Sequence, residues 1–199
     1  MVIKCLSHER DYNVLNSVLN NVPMVLQNKA VFVLYGNDIK AFVDPLIELT
    51  AVNSGYPENL FNLPEPDPIS QKKFSRGDFH NKVYPVLAAL APYAEFLENP
   101  NLSKSVVTRS IVMALLNGLT WKECSRTCIV ALTACSLEMK KTMYNMIEKV
   151  LLSFSKLSAT KHVATPLLEF LSTLIRLPEV FCSFRGKILL KYAHENFEV

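Results

Sequence analysis

Glycine is scarce in this chain: there are five in 199 residues, and no two lie closer than Gly36 and Gly55. That spacing excludes the dinucleotide fingerprint and the P-loop, since both need several glycines within a few residues to let backbone approach phosphate. It also argues against a turn-rich sandwich or barrel, whose hairpins use glycine at positive φ. No apolar run reaches the roughly 18 residues of a membrane span. The N-terminus lacks the charged-then-apolar pattern of a signal peptide. Charge of one sign is missing too. The net charge is +3, from 21 basic and 18 acidic residues, too mild for a nucleic-acid surface. The densest basic group, Lys72, Lys73 and Arg76, sits beside a proline-rich stretch and reads as solvated loop.

What remains is apolar. Half the residues are hydrophobic and 20% are charged, so the chain is not disordered over most of its length and can bury a core. With few sharp turns available, helices are favoured. Five cysteines, an odd number without secreted-framework spacing, fit a reducing compartment. Cys124, Cys128 and Cys135 stand at i, i+4 and i+11, which puts them on one helix face, with offsets of roughly 40° and 20°. One reading is a metal or redox cluster, with His162 as the one nearby fourth ligand. The plainer reading is three small hydrophobes on a buried stripe.

Residues 53–77 carry Pro57, Pro64, Pro66 and Pro68 with Glu58, Glu65 and Asp67, and neither a helix nor a central strand runs through such a segment. Leu60, Phe61 and Leu63 could pack it back onto the body. Helical repeats are expected on both sides, over 1–52 and 78–199. In the first block Val14, Leu15, Val18 and Leu19 predict a helix from Tyr12 to Asn20, ended by the asparagines before Pro23. The segment from Met24 to Tyr35 is ambiguous, with Ala30 to Leu34 readable as a strand that lacks a partner. Asn37 or Asp38 then caps a helix through Ile39, Phe42, Val43, Leu46 and Ile47, with Pro45 kinking or breaking it.

The second block is more regular. Ser75 or Asp78 caps a helix reaching Leu97 and bent at Pro85 and Pro92, with Phe79, Val83, Val86, Leu87, Leu90 and Ala91 inward. Ser103 to Leu119 repeats the period through Val106, Val107, Ile111, Leu115 and Leu116. Thr120 caps the helix of the cysteine stripe, which also holds Val130, Ala131 and Leu132. Helices over Leu137 to Leu157, Ala159 to Arg176 and Pro178 to Phe197 follow, with Leu168, Phe170, Leu171 and Leu174 expected in the core. Short connections make neighbours antiparallel. The expected fold is all-α, an α-solenoid of HEAT or armadillo-like antiparallel helix pairs, against a closed bundle as alternative. Apolar residues at both ends (Val2, Ile3 and Leu6; Ile188, Leu189, Leu190 and Phe197) favour the solenoid and a section of something longer.

Catalytic sets are not assembled. His8, His80, His162 and His194 stand in no G-x-S-x-G, H-E-x-x-H or C-x-x-C-H context. His80, near a helix start, reads as a surface or capping residue. Glu95 and Glu98 read as a solvated helix end, and Trp121 as a packing anchor that would suit a partner contact if exposed. No catalytic, cofactor-binding or metal residue is assigned and no cofactor is expected. A pocket joining His162 to the cysteine stripe would revive the enzyme reading.

Three runs in collinear order, KFSRGDFHNKVYPVLAALAPY, CIVALTACSLEM and KLSATKHVATPLLEFLSTLIRLP, resemble the central region of the tuberin family across Phe74 to Phe184. Residues Lys4 to Leu49 are similar more loosely, in pieces such as NVLNSVLNNVP. The stretch Asn99 to Thr108 is longer than the family's connection. The tail from Arg185 to Val199 departs from the family pattern, as in a fragment or truncated gene product. Tuberins are the large subunits that, with hamartin, form the tuberous sclerosis complex. The resemblance implies a non-catalytic scaffold section of a GTPase-activating protein that restrains Rheb and target-of-rapamycin signalling. It implies partnership with a hamartin-like subunit and tuberin self-association, with Rheb engaged only through a C-terminal domain outside this chain. It also implies a cytoplasmic protein, its parent recruited to the lysosomal surface or present in the nucleus. The alternative from the residues is a free-standing helical adaptor that binds a peptide or partner helix.

Overall fold

A computed structural model describes residues 2–9, 11–27, 36–51, 76–97, 106–157 and 161–180. Among these residues the chain is all-α, with nine α-helices, one 3-10 turn and no β-strand. The helices are α1 (Val2–His8), α2 (Tyr12–Leu26), α3 (Gly36–Thr50), α4 (Arg76–Ala89), α5 (Ala94–Leu97), α6 (Val106–Gly118), α7 (Ser125–Glu138), α8 (Lys140–Phe154) and α9 (Lys161–Ile175). The 3-10 turn, Ala91–Tyr93, lies between α4 and α5.

Local chemistry sets the helix ends. Asp11 is the N-cap of α2, its carboxylate accepting from the backbone amides of Asn13 at 2.8 Å and Val14 at 3.2 Å. The expected stop before Pro23 does not occur: α2 runs on for a turn, to Leu26. A proline inside a helix forfeits one amide bond and costs about 3 kcal/mol. Here the last turn buries Val22 and Leu26, and the buried Tyr93 hydroxyl donates to the Leu26 carbonyl that the helix end leaves open. Tertiary burial outweighs the local break. Pro45 likewise leaves α3 continuous, and Asn37 and Asp38 lie inside that helix instead of capping it. Pro92 does interrupt: the expected helix to Leu97 divides into α4, the 3-10 turn and α5. Gly77 belongs to α4, not to the loop assigned to 53–77.

Two further boundaries differ from expectation. The N-cap of α7 is Cys124 with no side-chain cap, and Thr120 instead donates its hydroxyl to the Asn117 carbonyl at 2.7 Å, tying off α6. The helix expected over Leu137 to Leu157 is split at Met139, which separates α7 from α8. The strand reading of Ala30 to Leu34, the packing of Leu60, Phe61 and Leu63, the cap at Ser75, the connection before Val106 and the tail beyond Val180 lie outside the described residues.

Packing follows a simple order. Helices α1, α3, α6 and α8 contact one another in succession, and α2, α4, α7 and α9 do the same. The two runs meet at α1 with α2, α3 with α4, α6 with α7, and α7 with α8. One core threads between them, from Leu6 and Leu15 through Phe79, Leu87, Ile111 and Leu132 to Phe154 and Phe170. Phe154 and Phe170 meet edge to face, with ring centroids 4.8 Å apart, and close α8 onto α9. Phe170 and Leu174 are core residues as expected and Leu171 packs half-buried against them. Leu168 is not: it is 66% exposed, because its position falls about 160° around α9 from Phe170. Val106, counted in the apolar period of its helix, is also exposed, as is Val130.

Phe170→Ala should therefore lower unfolding free energy by about 3–5 kcal/mol, while Leu168→Ala changes it by less than about 0.5 kcal/mol. Urea denaturation of the two variants checks the contrast.

Candidate functional site

Several residues singled out for chemistry, Cys124, Cys128, His80 and Trp121, meet at the junction of α4, α6 and α7, where they are packed into the core. Cys124, Cys128 and Cys135 are free thiols, all fully buried, as small hydrophobes on an inward stripe would be. Burial pushes the Cys124 thiol up to about 12, with the carboxylates of Glu123 and Asp78 adding to the effect. Burial pushes Cys135 up to about 12 and Cys128 higher still. Such thiols are poor nucleophiles at neutral pH. His162, the proposed fourth ligand, is exposed on the first turn of α9. Among the described residues no group of three or more His, Cys, Asp or Glu side chains could hold a metal ion. Cys182, His194 and Glu98 lie outside the described residues.

His80 overturns its reading as a surface or capping residue. It is fully buried, with its ring set against Phe79, Tyr84 and Trp121. The Trp121 contact is edge-on, with centroids 5.9 Å apart. Trp121 is half-buried against the core, as a packing anchor. Sequence reasoning missed His80 because it sits between the apolar positions 79 and 83 on a helix whose hydrophobic and polar residues are poorly segregated. The tight fit there is set by Gly118. A Cβ on it would stand 2.5 Å from both the Cys128 sulfur and the Tyr84 ring carbon that bears the hydroxyl, so a larger residue there forces these side chains to move. Polar ties flank this contact. The Asn81 amide donates to the Glu123 carbonyl at 3.0 Å, Thr127 donates to Asn81 Oδ1 at 2.8 Å, and the Cys124 thiol points to the Gly77 carbonyl at 3.5 Å.

Two adjoining grooves run along α6. The first, about 540 Å³, lies between α6, the α6–α7 turn, α8 and α9, with Met113, Leu116, Leu119 and Leu157 at its apolar base and Lys122, Lys149 and Lys156 around it. The second, about 590 Å³, lies between α3 and α6, and Arg109 lines it. Met113 and Asn117 line both. A buried hydroxyl pair, Thr108 with Thr142 at 2.7 Å, joins α6 to α8. Sequence reading missed this surface, because its lysines are dispersed along the chain and meet only through packing.

The family model Tuberin matches residues 1–192, so the chain belongs to the tuberin family. The match passes through the proline-rich loop and beyond Arg185, further than the motifs that carried the resemblance.

The raised thiols make stability depend on pH with a definite sign. An unfolded thiol ionises near its ordinary value of 9.0, whereas Cys124 and Cys135 keep their protons to about 12 in the folded chain. The folded state therefore binds more protons between these values, and stability is fully present below pH 9 and falls as pH rises above it. Urea midpoints taken from pH 7 to 10.5 should be flat and then decline, with no thiolate absorbance from these residues before unfolding. Gly118→Val should cost about 1–3 kcal/mol, read in the same urea titration.

Proposed function

We propose that this chain is a non-catalytic scaffold section of a tuberin-like GTPase-activating protein, working within the tuberous sclerosis complex to restrain Rheb and target-of-rapamycin signalling. Family membership is the observation that carries the reading. The order of packing supports it. Two successive runs of helices joined pair by pair are what stacked HEAT or armadillo-like units produce, and we read the chain as an α-solenoid section with helical repeats over 1–52 and 78–199. Such a section offers geometry and surface in place of chemistry. The buried, proton-holding cysteines and the core placement of His80 favour that role over an enzyme built on those residues.

In this reading a hamartin-like subunit and a second tuberin are the partners, and Rheb is met through a domain outside the chain. The site of action is cytoplasmic, with the parent drawn to the lysosomal surface. Among the described residues no helix is long and apolar enough to cross a membrane. Lost core contacts would reach signalling through lower complex abundance.

A second reading, a free-standing adaptor, is favoured by the grooves along α6. The two readings differ at the flanks. Leu168 and Ile175 are each 66% exposed on α9, and half-buried Leu171 extends the same apolar flank. A scaffold section should self-associate through such a flank when expressed alone. Light scattering after size exclusion should show concentration-dependent association of the chain, relieved by Leu168→Glu with Ile175→Glu at unchanged melting temperature. A monodisperse wild-type monomer would select the adaptor.

A further inference from the structure

We infer that the paired grooves along α6 bind an acidic amphipathic helix of a partner chain. The inference goes beyond the scaffold reading, which assigns no surface to a partner, by naming the surface and the chemistry of one. Three observations converge on it. The base is apolar: Met113, Leu116, Leu119, Leu157 and Val163 line the first groove, while Ile47, Val106 and Ala114 line the second. The charge has one sign. Lys122, Lys149 and Lys156 line the first groove and Arg109 the second, and no described lining residue of either is acidic. The chain as a whole is nearly balanced, at 21 basic against 18 acidic residues, so a surface lined by four cations and no carboxylate is a local departure.

The layout matches a helix ligand. Lys149, Ser153 and Lys156 stand at i, i+4 and i+7 and so share one face of α8 and the turn that follows it. On α6, Val106, Ser110, Met113 and Asn117 make a stripe along the second groove, and Met113 and Asn117 carry it into the first, where the lysines stand. A stripe of about three turns spans roughly 17 Å, enough for an apolar i, i+3, i+4, i+7 ridge to lie along it. Glutamates or aspartates flanking that ridge would face the lysines. The lysine ammonium groups are exposed and hydrated in the free chain, so they steer the encounter and fix orientation while the apolar base supplies the contact. A bare anionic surface would use the cations but leave the apolar base unfilled.

The test uses the full chain and three probes: a helical peptide of about 18 residues with a leucine ridge flanked by glutamate, the same peptide with lysine replacing glutamate, and phosphatidylserine vesicles. Anisotropy should show binding of the acidic peptide alone. Binding should weaken about tenfold in K149E/K156E, fall with added salt, and weaken in Met113→Ala, with Lys4→Glu as the unaffected surface control. Melting temperatures of all variants establish that they are folded. Equal affinity for both peptides, binding to vesicles without binding to peptide, or indifference to K149E/K156E would each overturn the inference. If the chain is a stable monomer yet binds the acidic peptide, the scaffold reading fails and the groove assignment survives. If it self-associates through α9 and ignores the peptide, the reverse holds.

Discussion

The approach of the Gly118 backbone to Tyr84 and Cys128 is the constraint on which the arrangement turns. Helix α7 packs against α4, α6, α8 and α9, and it can reach α4 and α6 together only because the end of α6 carries no side chain there. With that contact made, Asn81 falls within hydrogen-bonding distance of both Glu123 and Thr127. The ring of His80 is enclosed by Phe79, Tyr84 and Trp121 at the same place. A side chain at 118 would push α7 outward and loosen all of these at once. The long-range order of the helices thus depends on an atom that is absent.

That dependence explains why chemistry-bearing residue types gather here. Cysteine, histidine, tyrosine and tryptophan are used for shape: thiols as compact fillers, aromatic rings as edge-to-face spacers. The cost of ionising a thiol in such surroundings keeps the cysteines neutral, so reactive groups become inert packing units. The outward faces are correspondingly free of structural duty, and the lysines beside α6 and α8 stand where core packing makes no demand on them.

Much of the fold was legible in the sequence because it depends on periodicity. The inward sets of α4 and of the middle of α6 follow from spacing alone, and Phe79, Val83, Val86, Leu87, Ile111 and Leu115 are buried as read. Helix ends were less legible. Pro23 and Pro45 signal a break by local rules, and what overrides them is burial of Val22, Leu26, Leu46 and Leu49 against residues distant in sequence. Leu168 was misplaced by a shift around the helix that hydrophobicity cannot detect, since the apolar face of α9 is broader than the contact it makes. His80 is hidden from a sequence reading because its polar type signals surface by local rules while packing encloses it. The grooves were invisible for a deeper reason: α3, α6 and α8 are brought together by contacts that no short window of sequence contains.

The Thr108–Thr142 pair carries a consequence for how α6 and α8 can move. Two hydroxyls satisfy each other in a buried place where water cannot substitute. Sliding α8 along α6 by one turn would break this buried bond, at a cost of about 1 kcal/mol. The pair therefore acts as a detent, holding the two helices at a single register while the apolar contacts around it, being non-directional, would tolerate several. The spacing of the outer face is accordingly inherited from the interior. It behaves as a ruler of fixed length: whatever lies against it must bring its own flexibility, and the entropy of fitting falls on the visitor.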